Sequence, residues 1–491
     1  MDTTFIQKID GVADTPFISS IFKLDDSYRW LKLSLSFNKK GWYSIFVWDP
    51  NNTLRIQSLY MSDEKVITIS NKNEETSFSC VAGDVPIGEW RVEILTPSFK
   101  NASEFSISIE YGDEDLISDT NDYSDTVNWT YAITCGGFEL DNYKAQRVHN
   151  DKKAWYKGDF HTHTTESDGK MSVQKNLDQA KVMGLDFFVA TDHNILPTKW
   201  LNSDVLVIPG IEVTSSKGHF NALGLTKWVD WRPTCKDGGM ETEAGMNRII
   251  EEAKEAGAVI SMNHPMLKPW EWQLQDTRFK DLDVIEIWND PTYKDNPQAT
   301  EEILEIWNKL WNDGHTIYGI GGSDSHLLPS ESYEEGGAPS LIGDPATYVY
   351  AENLSAAKLL QAVCEGKVYV SRGPVLDFTI LANGKEAVLG DRLGYSGDGE
   401  SHIEYRINYK NVQPGASIHW ILNGEVSASD SLVGTGSISR DFSWEKNGWS
   451  WLRFEIRSAN GILLAFGNPI FEGEKETSFD RWGDVVAFET K

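Results

Sequence analysis

Between residues 155 and 326, six short apolar runs each end on a polar residue that can bind a metal ion, at nearly the same offset from the run. His161 follows Trp155-Tyr156-Lys157-Gly158-Asp159-Phe160, and His193 follows Phe187-Phe188-Val189-Ala190. Glu212 follows Val205-Leu206-Val207-Ile208, and His264 follows Val259-Ile260-Ser261-Met262. Asn289 and Asp290 follow Val284-Ile285-Glu286-Ile287-Trp288, and Asp324 follows Thr316-Ile317-Tyr318-Gly319-Ile320. Runs of this length and composition read as buried strands. Helix-patterned segments lie among them at 173–183, 243–256, 298–312 and 356–365; in the second, Met246, Ile249, Ile250 and Ala253 fall at i, i+3, i+4 and i+7. Strands alternating with helices predict a parallel sheet or barrel, whose chemistry gathers at the carboxyl ends of the strands. One such coincidence carries little weight, but six predict a single rim.

The flanks have a different period. Trp30 to Leu35, Trp42 to Val47, Val66 to Ile69, Trp90 to Leu95 and Phe105 to Ile109 are apolar-rich and partly alternating, with turn residues between them. That pattern predicts an antiparallel sandwich over 1–112. An acidic, Ser/Asp-rich stretch opens a linker over 113–154. Alternation returns after Arg372-Gly373-Pro374, in Asp377 to Leu381, Ile403 to Ile407, Ile418 to Leu422 and Leu452 to Ile456. The expected division is therefore a barrel over 155–372, a second β sandwich over 373–472 and a polar tail over 473–491. A chain of 491 residues has length enough for that many cores.

Composition narrows the partners. The formal net charge of −29 argues against a nucleic-acid backbone or an anionic membrane as the main partner. It leaves an anionic small molecule open, because bound divalent cations reverse the field inside one pocket. Cys80, Cys135, Cys235 and Cys364 are widely spaced thiols with no paired motif, the Met1 to Ser20 stretch has no long apolar core, and no run approaches the roughly twenty apolar residues of a membrane span. The expectation is a cytoplasmic protein; oligomeric state is not readable.

Histidine with carboxylate and no cysteine is the ligand set of Zn, Mn or Fe sites. Phe160-His161-Thr162-His163, Ser167-Asp168-Gly169, Thr191-Asp192-His193, Gly210-Ile211-Glu212, Gly218-His219-Phe220, Asn263-His264-Pro265 and Ser323-Asp324-Ser325-His326 hold six of the ten histidines. In this order, the motifs resemble the PHP (polymerase and histidinol phosphatase) family, and the Glu212 to Gly224 region looks most like its CehA/McbA-type branch of metallohydrolases. The resemblance spans roughly 155–374. It implies an α/β fold, a distorted (β/α)7 barrel flanked by the two all-β sandwiches, with two or three divalent ions (Zn, Mn or Fe) at the rim. By this resemblance one ion is held by His161, His163, Glu212 and Asp324, a second by Glu212, His219 and His264, and a third by Asp168, His193 and His326. Many members carry histidine where Asp168 stands.

The function so implied is a metal-dependent phosphoesterase that hydrolyses a small phosphate mono- or diester with a metal-bridged hydroxide. Glu212 and Asp324 serve it as ligands, Asp192 as an orienting or acid group or as a structural support behind the ligands, and Arg372 as a fork-shaped donor to phosphate or one half of an interdomain salt bridge. The alternatives are a carbamate or carboxylic ester hydrolase of the CehA/McbA type, and a carbohydrate-binding or scaffold protein with a vestigial site, for which nineteen tryptophans give some motive.

Overall fold

The computed structural model describes residues 4–61, 64–97, 99–114, 116, 125–131, 133–394, 399–446 and 448–486. Its first eight strands are β1 (Phe5–Ala13), β2 (Phe17–Leu24), β3 (Trp30–Phe37), β4 (Tyr43–Trp48), β5 (Leu54–Tyr60), β6 (Lys65–Ser70), β7 (Gly88–Leu95) and β8 (Ser103–Gly112). They form two four-stranded antiparallel sheets in the orders β1-β8-β3-β6 and β2-β7-β4-β5. Leu31, Leu33 and Leu35 alternate inward from β3 and pack with Ile107 and Ile109 of β8 and Ile45 and Val47 of β4. Burial of these side chains, about 1.5–3 kcal/mol each, joins the sheets face to face. β1 and β2 escape sequence reading because polar and apolar residues do not sort by face: Gln7, Gly11 and Ser20 take the inward side while Ile6, Val12, Phe17 and Ile21 are exposed.

The central strands are β9 (Ala154–Asp159), β10 (Phe187–Ala190), β11 (Leu206–Ser215), β12 (Gly218–Leu223), β13 (Val259–Met262), β14 (Val284–Asn289) and β15 (Tyr318–Gly322). Helices α1 (Val173–Val182), α2 (Glu243–Glu255) and α3 (Asn296–Asp313) connect them, and α4 (Ala356–Cys364) follows. Ser172, Thr242 and Ser355 cap α1, α2 and α4 by accepting a backbone N–H, which fixes where each begins. The seven strands lie side by side in chain order.

Here the expected (β/α)7 alternation is not what is observed. Pairs β9-β10-β11 and β13-β14-β15 are parallel, but β12 pairs antiparallel with both β11 and β13. The reason is local: two residues, Ser216 and Lys217, separate β11 from β12, and a connection so short permits only a hairpin. Gly218 closes it with φ +133, and an added Cβ would meet the Trp272 ring. The far strand returns to the first at the rim, where Asp324 N–H donates to the His161 carbonyl (2.8 Å) and Thr162 bridges Ser325.

On the other side of β9 the same sheet runs through β16 (Ala346–Ala351) and β17 (Val368–Ser371) into the C-terminal strands. These are β18 (Val375–Ala382), β19 (Glu400–Leu422), β20 (Glu425–Glu445), β21 (Ser450–Arg457) and β22 (Leu463–Glu472). The runs at Ile403 and Ile418 belong to one bulged strand rather than two. The tail is more than polar: Trp482 is fully buried and its indole donates to the Trp272 carbonyl. Part of the linker, 117–124, lies outside the described residues; beyond it Trp129, Phe138 and Leu140 sink into the central core. No helix among the described residues is long and apolar enough to cross a membrane, and all four cysteines are free.

The first sandwich is fastened to the central strands by buried polar contacts. Thr198 Oγ1 donates toward the carbonyls of Phe78 and Cys80 (2.7 and 2.6 Å), and Lys199 Nζ donates to the carbonyls of Asn73 and Thr76. Burial pushes the Lys199 ammonium down to about 7. Because this folded value lies below the unfolded one near 10.4, the unfolded chain binds the extra proton between those limits, and stability rises with pH across that window. In Lys199→Met the rise in denaturation midpoint between pH 7 and 10 is expected to flatten; an unchanged slope relative to wild type would exclude Lys199 as its source.

Candidate metal centre

The rim gathers all nine sequence-predicted ligands into one cluster, buried except for the partly exposed Asp168, Asp324 and His326. Glu212, on β11, is at its centre with no solvent exposure. Its Oε1 lies 3.2 Å from His161 Nε2, 3.2 Å from His219 Nδ1 and 3.5 Å from His264 Nε2. Its Oε2 lies 2.6 Å from His193 Nδ1 and 3.6 Å from His163 Nε2. Asp324 Oδ1 stands 2.9 Å from His163 Nε2 and 3.3 Å from His161 Nε2. Asp168 Oδ1 stands 3.2 Å from His326 Nε2 and 3.4 Å from His193 Nε2.

Donor atoms fall into three groups, each with all its atoms within 4.8 Å of one another: His161 with His163 and Asp324; His161 with Glu212 and His264; and His163 with Asp168, His193 and His326. The partition differs from the implied one. His161 joins the second group, His163 joins the third, and His219 enters none of them, although it touches Glu212.

Backbone geometry serves this convergence. Asp324 and His264 adopt φ of +48° and +27°, conformations that cost a residue with a Cβ about 1–3 kcal/mol. The surroundings hold them there: His264 N–H donates to Glu286 Oε2 (2.9 Å), and the Asp324 carbonyl meets His326 Nδ1 (2.8 Å). Gly322 leaves room for the first histidine, since a Cβ there would sit 2.4 Å from His161 Cβ and 2.7 Å from Glu286 Oε1.

Seven buried donor atoms in the cluster make no well-directed hydrogen bond, close as some of them stand to one another: His161 Nε2, both ring nitrogens of His163, Asp168 Oδ1, Glu212 Oε2, His264 Nδ1 and Asp324 Oδ1. Unpartnered buried polar atoms are rare and costly, and here they converge on shared spaces lined by imidazole and carboxylate. The donor chemistry fits divalent ions.

Charge in the cluster is correspondingly tense. Burial opposes ionisation of Glu212, but His193, His161 and His219 hold its carboxyl well below the usual range. Asp324 is likewise held low against burial, by His161 and His163. Burial resists protonation of His326, yet Asp168 and Asp324 raise it to about 10, while burial and the neighbouring His326 and His193 depress His163 to about 3. Anionic carboxylates thus draw protons onto some imidazoles and not others, the imbalance a bound cation relieves.

Two contributors escaped the sequence reading. Glu286 Oε1 lies 3.0 Å from His161 Nδ1, and its Oε2 also accepts from Asn289 Nδ2 (3.1 Å). Asp159, fully buried, accepts from the N–H groups of His161 and Ser323 (3.0 Å each) and Gly343 (2.6 Å), which locks the first and last rim strands together; burial raises it to about 6. The available signal was a lone carboxylate inside an apolar strand, at Glu286 in Val284–Asn289 and at the end of Ala154–Asp159.

Two expected roles find other employment. Asp192 accepts from Thr164 N–H (2.7 Å), Thr164 Oγ1 (2.8 Å) and Ser167 Oγ (2.6 Å), so it holds the loop that carries His163 and Asp168. Arg372 places Nε 2.9 and 3.1 Å from the two Asp344 oxygens, an ion pair where the chain passes from β17 to the C-terminal strands, and it does not line the cavity over the cluster. The tryptophans are mostly interior: Trp90, Trp200, Trp231, Trp272, Trp307, Trp311, Trp420, Trp451 and Trp482 are fully buried and serve the cores, while Trp42 and Trp270 line the cavity.

The cluster floors a cavity of about 820 Å³. Asp168, His193, His219, His264, Asp324 and His326 face it from below.

No family model and no curated protein matches the sequence. Among solved structures, the chain is similar to a two-domain protein from Bacteroides vulgatus that contains a predicted PHP-like metal-dependent phosphoesterase. It is 17% identical, covering 67% of this chain and 98% of that one, with a TM-score of 0.35. It is also similar to a candidate metal-dependent phosphoesterase from Bifidobacterium adolescentis, 16% identical over 42% of this chain and 95% of that one, with a TM-score of 0.25. Both superpose too loosely to transfer a residue role, and the site is read from its own geometry.

Proposed function

We propose that the chain is a metal-dependent hydrolase of small esters, with a phosphate mono- or diester as its first substrate class. The observation that supports this reading is the set of seven buried donor atoms without a well-directed hydrogen bond, all on residues of the three donor groups. His161, His163, His264, Glu212 and Asp324 would hold two ions, and Asp168, His193 and His326 with His163 a third. Divalent ions bound there supply Lewis acidity and bring the pKa of water to about 7.

The remaining work belongs to the chain. Glu286 accepts from His161 Nδ1 and so keeps the Nε2 lone pair turned toward the cluster. Asp192, through Thr164 and Ser167, fixes the loop that presents Asp168. A second reading, a carboxylic or carbamic ester, is favoured by one specific feature: the described residues lining the cavity include no lysine or arginine, and Arg372 is occupied by Asp344. A phosphoryl dianion would therefore rely on the ions alone for its counter-charge.

Stripping the protein with a chelator and refilling it with Zn, Mn or Fe(II), then offering 4-nitrophenyl phosphate, bis(4-nitrophenyl) phosphate and 4-nitrophenyl acetate, tests both readings. Phosphoester turnover that vanishes on stripping and returns on refilling is expected. Acetate cleavage with no phosphoester turnover under any metal would transfer the assignment to carbonyl chemistry. Fewer than one ion per chain with no turnover at all would overturn the hydrolase reading.

A further inference from the structure

The cavity above the cluster has two unlike halves. Its floor is imidazole and carboxylate, whereas its walls are mostly apolar, with the carboxylates of Glu241 and Asp290 among them, and much of the wall comes from the first sandwich, more than 60 residues before the first ligand in the sequence. Phe17, Ser44 and Leu95 line it from three adjacent strands: Leu95 is the register partner of Phe17 across β2 and β7 and of Ser44 across β7 and β4. Trp42, just before β4, sets its ring 5.3 Å from the His193 imidazole at 61°. Across the space stand Trp231, Met240 and Trp270 of the central region.

This wall is held firmly. Phe46 packs on Trp231 at 5.2 Å, and the Arg232 guanidinium lies 4.6 Å over the Trp48 ring while pairing with Glu93 and Asp230. The rim and the sandwich therefore share one packed core, and the cavity lies against that seam. A mostly apolar space bounded by aromatic rings, whose described lining outside the cluster adds only the acidic Glu241 and Asp290 and no lysine or arginine, favours apolar area and offers no counter-charge to an anionic group.

From this juxtaposition we propose that the first sandwich is the specificity element of the site, and that the substrate carries an uncharged, ring-sized apolar group which packs against Trp42, Leu95 and Phe17 while its ester faces the cluster. The location of the ester rests on the hydrolase reading; the apolar subsite does not, and it is common to phosphorus and carbonyl chemistry.

Biphenyl-4-ol, a neutral two-ring alcohol, is the probe. Calorimetric titration of the metal-loaded full chain is expected to show saturable binding, weakened about tenfold or more in Trp42→Ala and in Leu95→Ala, the scale of one lost ring or branched side chain. Phe17→Ala, remote from His193, guards against an indirect effect of Trp42 on that ligand, and metal content and circular dichroism verify the fold of each variant. With whichever nitrophenyl ester the wild type cleaves, the same variants are expected to raise KM with kcat retained. No binding to wild type, or equal binding to all three variants, would overturn the subsite. A failed hydrolase reading would instead abolish turnover of every ester and leave the binding, and its loss in Trp42→Ala, in place.

Discussion

Glu212→Gln is expected to lose most of its bound metal and to lower turnover on the order of 1,000-fold or more, about 4 kcal/mol of barrier. The carboxylate lies within 3.6 Å of five imidazoles, from His161, His163, His193, His219 and His264, and no other residue of the cluster touches so many. The amide has the same shape, so packing in the fully buried pocket is conserved. It removes the anionic charge and points an N–H2 group at nitrogens that need an acceptor or a cation. Elemental analysis alongside initial rates is the measurement, with circular dichroism to verify the fold. A variant that keeps its ions and its turnover would place the centre elsewhere.

Glu286→Ala should weaken metal binding about 10- to 100-fold although Glu286 belongs to none of the donor groups. Its two oxygens fix three things: the ring of His161 through Nδ1, the strained backbone of His264 through its N–H, and the Asn289 amide. Removing them frees the His161 tautomer and leaves a buried N–H without its partner, a loss of about 1–3 kcal/mol by itself. Glu286→Gln retains an acceptor for one of these contacts without the charge, and an intermediate affinity is expected. Competition with a chromophoric chelator reads the series; equal affinity in wild type and Glu286→Ala would reduce Glu286 to a packing residue.

The difference between these two glutamates marks how far the sequence can be read. Glu212 is found from sequence because it sits just past an apolar run, as do His161, His193, His264 and Asp324, and repetition of one offset makes a rim visible without coordinates. Glu286 occupies the interior of its run, where a carboxylate reads as a blemish in an apolar strand. Only the pairing of β13 with β14, which sets Met262 against Ile285, brings it under the His264 backbone. Asp192 and Arg372 are the residues for which the sequence leaves a structural and a chemical role open together. Their positions beside the motifs suggested chemistry, but Thr164, Ser167 and Asp344 claim their polar atoms first.

The four helices are nearly as legible as the ligands, since each has an apolar face of helical period and three of them begin at a Ser or Thr cap. The β11–β12 hairpin was less so. Both strands are buried almost throughout, Glu212, His219 and Asn221 included, so no exposed polar face alternates with a buried one to reveal partner or direction.

What the sequence by itself determined is therefore local and chemical: the residues able to bind metal, the strand ends they occupy, and the helices between. Tertiary structure alone decided how those residues divide into groups, which carboxylates support them, and that Trp42, Leu95 and Phe17 of the first sandwich wall the cavity. The physical reason is that ligand chemistry is a property of a side chain and its immediate neighbours. A cavity is made by surfaces far apart in the chain, and their meeting depends on the burial of Phe46, Trp48 and Trp231 in one shared core.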